Sequence, residues 1–218
     1  TYWASPDSLS YKEDAVTSKD FVVKGIEQIV LNVPFHPRCE QVKEVRVPGW
    51  SVVELCMVTT ASGVVGIGET IMNYTWGRSG DEAFRQVVDR NLFECLWDDS
   101  LGAGLQMALF DAAGKLAGVP VYRLLGPKVR DWCAISFWDH DMSPEKYAIE
   151  AQTAVALGYT CIKIKTRPWF DVRETIRLIS ETTPDHFRID ADWNAFLNNA
   201  SNAVPILREL EQTFPKIK

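Results

Sequence analysis

Between positions 21 and 70 apolar and polar side chains alternate, the two-residue period of half-buried strands. Phe21-Val22-Val23 with Ile26 to Val33 forms one extended segment, and Ser51 to Thr60 and Val64 to Thr70 form two more. Ala61-Ser62-Gly63 joins the last two, a short glycine-containing turn that predicts an antiparallel hairpin. Pro34 to Gly49 holds three prolines and several charges, too long and polar for a hairpin turn, and reads as a loop that carries function. The period then lengthens. Asp81 to Cys95 reads as a helix with two acidic residues in its first turn. Leu105, Leu109, Ala112 and Leu116 share a 3.6-residue stripe and predict a second helix from about Leu101 to Ala117. Gly118 stops it and Pro120 blocks continuation. A meander followed by helices predicts an α+β domain over 21–127, preceded by a polar, non-periodic extension over 1–20.

Beyond Gly126-Pro127 strand and helix alternate. Asp131 to Trp138 is an apolar strand, and Ser143-Pro144-Glu145 opens a helix that Gly158 ends. Tyr159 to Lys165 and His186 to Asp190 are further strands. Phe170 to Glu181 and about Ser201 to Gln212 are helices, the last requiring Pro205 in or near its first turn. Three such units with short connections imply parallel strands and right-handed crossovers. A closed barrel needs eight units and usually ~250 residues. Residues 128–218 are therefore expected to be part of either an open sheet or a (β/α) barrel, which would be partial and truncated before strand 4, with Phe214 to Lys218 approaching that strand. On this reading the chain is an N-terminal fragment of a longer protein.

Composition adds exclusions. A net charge of −6 argues against a nucleic-acid surface, and no apolar run is long enough to span a membrane. Five scattered cysteines without a CxxC pair point to buried thiols in a reducing, cytoplasmic compartment. No glycine-rich phosphate loop follows any strand, which disfavours an open-sheet nucleotide-binding protein.

The candidate chemistry sits on two adjacent strands. In Cys161-Ile162-Lys163-Ile164-Lys165 both lysines point to one face and both isoleucines to the other. An inward lysine at mid-strand would cost several kcal/mol, but at a carboxyl end it can face a cleft. Two close ammonium groups oppose each other's protonation, which suits a base near neutral pH. Asp190-Ala191-Asp192 ends the next strand with two carboxylates on a common face, oxygen donors suited to a hard cation such as Mg²⁺. Turn chemistry explains a lone Asp-rich strand end equally well.

The chain resembles the enolase superfamily, in its mandelate racemase/muconate lactonizing enzyme branch, over about residues 23–218. The resemblance rests on Gly66-Ile67-Gly68-Glu69, on Leu109-Phe110-Asp111-Ala112-Ala113-Gly114-Lys115 through Gly118-Val119-Pro120 to Leu124-Leu125-Gly126, and on Lys163-Ile164-Lys165 and Asp190-Ala191-Asp192 in that order. It implies an α+β capping domain followed by the first three βα units of a TIM barrel. It also implies a Mg²⁺-dependent enzyme that abstracts the proton α to a carboxylate and stabilises the enediolate. Lys165 is then the base, Lys163 its electrostatic partner, and Asp190 the first metal ligand. Asp192 stands where the family often has Asn, and is a candidate for metal or a substrate hydroxyl. His36, Arg38, Trp76 and Asn194 are candidate substrate contacts.

The family's remaining metal ligands fall on later strands, so the 218-residue chain alone is expected to be inactive. Sugar-acid dehydration is the leading expectation for the parent, a small carboxylate its substrate, and a homo-oligomer its expected state. Racemisation, epimerisation or cycloisomerisation are alternatives. A catalytically inactive interaction protein is the rival from another class.

Overall fold

A computed structural model describes residues 17–37, 49–73 and 78–217. The described residues cluster into two compact units, one from 17–33 and 49–129, the other from 34–37 and 130–217.

In the first unit β1 (Val23–Asn32), β2 (Val52–Thr60) and β3 (Val65–Ile71) form an antiparallel sheet in the order β1-β2-β3. Glu54, Cys56, Val58 and Thr60 alternate onto its buried face. The helices are α1 (Asp81–Val87), α2 (Ala103–Ala117) and the single turn α3 (Tyr122–Leu125). Leu105, Ala108, Leu109 and Ala112 of α2 join Cys56 and Val58 in one core. The expected helix over 81–95 is instead two pieces. Its backbone leaves helical geometry because Val23 and the 89–90 segment exchange hydrogen bonds: Asp89 N donates to Val23 O and Val23 N to Arg90 O. Asp89 takes φ 63°, and Leu92–Glu94 makes a separate 3₁₀ turn capped by the Asn91 side chain.

α2 lies unusually close to β3. A Cβ on Gly66 would come 2.1 Å from the Ala108 carbonyl oxygen, and one on Gly68 2.1 Å from that of Gly104. Gly104, Ala108 and Ala112 fall four residues apart, one small-residue row along the helix. The same helix covers the edge of β3: Asp111 Oδ2 accepts from Ile67 N at 2.8 Å, and Lys115 Nζ donates to Val65 O at 2.9 Å. Capping these backbone groups blunts an otherwise open sheet edge.

In the second unit β4 (Phe137–Trp138), β5 (Cys161–Lys165) and β6 (Arg188–Asp192) form a parallel sheet in the order β4-β5-β6. They alternate with α4 (Pro144–Ala156), α5 (Val172–Thr182) and α6 (Ala200–Thr213). Ile162, Ile164 and Ile189 are fully buried among Tyr147, Ile176, Ile179 and Leu210. β4 is shorter than the expected 131–138 strand; Trp132 and Ile135 remain exposed, so apolar composition there did not imply pairing. Pro205 lies inside α6 at its sixth residue, further in than expected. The N–H it lacks would have served the carbonyl of Ser201, which is exposed, so water can take that acceptor. After α6, Ile189 N donates to Lys216 O at 2.8 Å and Ile217 bridges Ile189 in parallel.

Among the described residues no helix is long and apolar enough to cross a membrane.

Candidate active site at the strand carboxyl ends

The register of β5 against β6 pairs Lys163 with Asp190 and Lys165 with Asp192. Because Ile162 and Ile164 bury one face completely, alternation leaves Lys163 and Lys165 together on the other. Side-chain contacts do not follow the register. Asp192 Oδ2 takes both ammonium groups, Lys163 Nζ at 2.8 Å and Lys165 Nζ at 2.9 Å. The repulsion expected between bare lysines is thus offset by a carboxylate set between them. The Lys165 side chain is only 10% exposed and that of Lys163 39%, so Lys165 is the more enclosed of the two.

Asp192 is fixed from its own strand end as well. Its Oδ1 accepts from Asn194 N at 2.9 Å, and Asn194 Oδ1 accepts from Lys165 Nζ at 2.8 Å. Asn194 has φ 44°, a left-handed conformation that Asn adopts more readily than most residues. Partial burial by itself raises the Asp192 pKa, but hydrogen bonds from Lys163, Lys165 and Asn194 N–H outweigh it and hold the carboxyl well below the usual carboxylate range. Asp190, by contrast, forms no ion pair with either lysine; its Oδ2 accepts from Ser136 Oγ at 2.7 Å.

The strand exits bring in Arg167, which the sequence did not single out. Arg167 pairs with Asp141 (Nε to Oδ1, 2.6 Å) and also donates through Nη1 to Asn194 Oδ1 at 2.9 Å. Asp139, His140 and Asp141 follow β4 and are all buried. Arg167 did carry a signal, since it continues the alternation of Lys163 and Lys165. His36 is exposed. Arg38 and Trp76 lie outside the described residues.

Among the described residues no group of three His, Cys, Asp or Glu side chains converges to hold a metal ion. The donor set nevertheless fits part of a hard-cation site. Asp190 is a carboxylate that the lysines leave available, whereas Asp192 in this conformation is committed to them.

No protein-family model matches the chain. The solved mandelate racemase/muconate lactonizing protein from Herpetosiphon aurantiacus superposes with a TM-score of 0.68 at 17% identity, covering 89% of this chain and 59% of that one. N-succinyl-L-Arg/Lys racemase from Bacillus cereus is 30% identical over 110 residues, 50% of this chain and 30% of its own length. Arabinonate dehydratase from Saccharolobus solfataricus is 26% identical over 164 residues, 63% of this chain and 44% of its own length.

The chain is similar to proteins of the enolase superfamily, in its mandelate racemase/muconate lactonizing enzyme branch.

It spans less than half the length of these two curated relatives. The enolase-superfamily motif residues divide into two kinds by what they touch. Gly66, Gly68, Asp111 and Lys115 serve the α2–β3 contact, while Lys163, Lys165, Asp190 and Asp192 converge at the strand ends.

Proposed function

We propose that the chain is part of a Mg²⁺-dependent enzyme that takes the proton α to a carboxylate, with sugar-acid dehydration as its reaction. The first unit is read as the capping domain and the second as the opening three βα units of a barrel. The observation that carries the reading is the pair of lysines on Asp192, at the carboxyl ends of parallel strands, with Asp190 beside them. Ligands bind at that end of parallel strands.

Lys165 is the proposed base, because it is the more enclosed amine and two acceptors fix its Nζ. In its neutral form it takes the α-proton, and the electron pair of the broken C–H bond moves into the carboxylate to give an enediolate. Departure of the β-hydroxyl with a proton then yields an enol, which becomes the 2-keto-3-deoxy acid, a net loss of one water. Lys163, more open to solvent, is the proposed partner of the substrate carboxylate. Asp190 is the proposed metal ligand, and a bound divalent cation would stabilise the negative charge that develops on the substrate. Asp192 bridges the two ammonium groups through its Oδ2. His36, Arg38, Trp76 and Asn194 are proposed substrate contacts.

The similarity to arabinonate dehydratase supports elimination from a sugar acid. The similarity to N-succinyl-L-Arg/Lys racemase supports a second reading, in which the same enediolate is reprotonated. Both begin with α-proton removal, so one assay tests the shared step. Protein from the complete reading frame is incubated in D₂O with Mg²⁺ and a panel of aldonates and N-acyl amino acids, and followed by ¹H NMR. Loss of the α-proton signal that Lys165→Ala abolishes is the expected result; retention of every α-proton would sink the proposal. Appearance of a 2-keto-3-deoxy acid selects dehydration over racemisation.

A further inference from the structure

Arg167 sits at the exit of β5, two residues beyond Lys165, and is held on three sides. Its Nε and Nη2 address the carboxylate of Asp141, at 2.6 and 3.4 Å. Asp141 follows β4 and is only 3% exposed. The guanidinium lies over two aromatic rings, with its Cζ 5.9 Å from the Trp169 centroid and 5.3 Å from that of Phe196. Those rings meet edge to face at 5.4 Å. A planar fork held by a buried carboxylate and two rings has little rotational freedom left.

The remaining direction of the fork is used on Asn194. Arg167 Nη1 and Lys165 Nζ both donate to Asn194 Oδ1, at 2.9 and 2.8 Å. An amide side chain can present either its oxygen or its NH₂ to a neighbour, and the two look nearly alike in shape. Two cationic donors on the same atom settle the choice, because an NH₂ turned toward them would face like dipoles. Lys165 alone could be satisfied by Asp192 and water. The rigid Arg167 is what makes the oxygen-inward state of Asn194 the favoured one.

We propose that Arg167 is a positioning residue for Lys165: by fixing the Asn194 amide oxygen, it aims the Lys165 Nζ within the strand-end cluster. Nothing in the arrangement requires Arg167 to touch a substrate, since its donors are already directed at Asp141 and Asn194. The inference rests on the base role proposed for Lys165, and its geometric part can be tested without any substrate.

The test is a ¹H–¹⁵N spectrum of the lysine ammonium groups, with scalar coupling detected across the hydrogen bond from Lys165 Nζ to Asn194 Cγ. Lys165→Ala and Asn194→Ala identify the signal and the coupling. In the wild-type chain the Lys165 ammonium is expected to be visible and coupled to Asn194. In Arg167→Met the coupling should disappear, and exchange of the ammonium hydrogens with water should rise about tenfold, the factor for one charge-assisted hydrogen bond. Ile162 and Ile164 methyl signals at their wild-type positions certify that the unit is folded. Arg167→Lys keeps the charge for Asp141 but cannot span both partners, so it should lose the coupling too. Retained coupling in either folded variant overturns the proposal. If neither variant folds, Arg167 is an anchor of the fold and the positioning role is withdrawn. A wild-type chain that shows the coupling but fails the α-proton assay would remove the catalytic reading and leave the geometric one standing.

Discussion

Asp192 joins both lysines through Oδ2 and accepts from Asn194 N–H through Oδ1, and its replacement separates charge from shape. Asp192→Ala leaves the nearly enclosed Lys165 without its counter-ion, and breaking a buried pair in this way should destabilise the second unit by about 3 kcal/mol. Asp192→Asn keeps the acceptor and should cost less, a difference that urea denaturation would read. The pH dependence has a definite sign. A carboxyl whose folded pKa is depressed contributes stability that is fully present above its unfolded pKa and is lost as pH falls through the folded value. Asp192 should therefore keep its charge at about pH 4, where a carboxylate without such partners is half protonated. A carboxyl ¹³C titration in which Asp192 moved near pH 4 would contradict the triad. The sequence made these residues legible because strand alternation puts Lys163 and Lys165 on one face. Which carboxylate the lysines choose was not legible, since it depends on side-chain reach across β6 and on the left-handed turn at Asn194. Arg167 was missed for a similar reason: an arginine just past a strand looks solvated until a buried Asp141 and two rings are found around it.

At the scale of elements, the glycines of β3 are set by the helix that packs on them. A methyl group on Gly68 would overlap the backbone of α2, so either the helix lifts or the strand bends. Overpacking of a well-filled contact costs typically ~1–3 kcal/mol, and the backbone here cannot swing aside as a side chain would, so Gly68→Ala should reach or exceed the upper figure. Gly25, on β1, has nothing within 4 Å of its would-be Cβ, and Gly25→Ala should leave the midpoint of urea unfolding unchanged or raised. Equal effects at the two positions would refute the close-packing account. The hairpin and α2 were readable from period and turn residues. The break in the expected 81–95 helix was not, because it follows from a backbone exchange between Val23 and the 89–90 segment, a tertiary contact that overrides an acceptable local helix pattern.

For the molecule as a whole, the order of elements was the readable part: a meander with helices, then three strand–helix units, each set by hydrophobic period and by capping residues. The strand-end site joins residues from 136 to 194 because parallel pairing aligns their carboxyl ends, so a one-dimensional list of charged residues becomes one cluster only through the register of β4, β5 and β6. Metal affinity tests how complete that cluster is. Mg²⁺ prefers six oxygen ligands near 2.1 Å and retains water reluctantly surrendered, so a site with one available carboxylate binds weakly. For the 218-residue chain we expect an Mg²⁺ dissociation constant of about 1 mM or weaker, because one available carboxylate leaves most of the octahedral shell to water. Mn²⁺ titration followed by water-proton relaxation measures it directly and allows the two aspartates to be told apart. Asp190→Asn should remove the residual binding. Asp192→Asn should leave it within about twofold, because in this arrangement Asp192 already spends its Oδ2 on two lysines and its Oδ1 on the Asn194 amide. Binding that survives at Asp190→Asn and vanishes at Asp192→Asn would invert the assignment, making Asp192 the ligand and requiring the lysines to release it when the cation arrives.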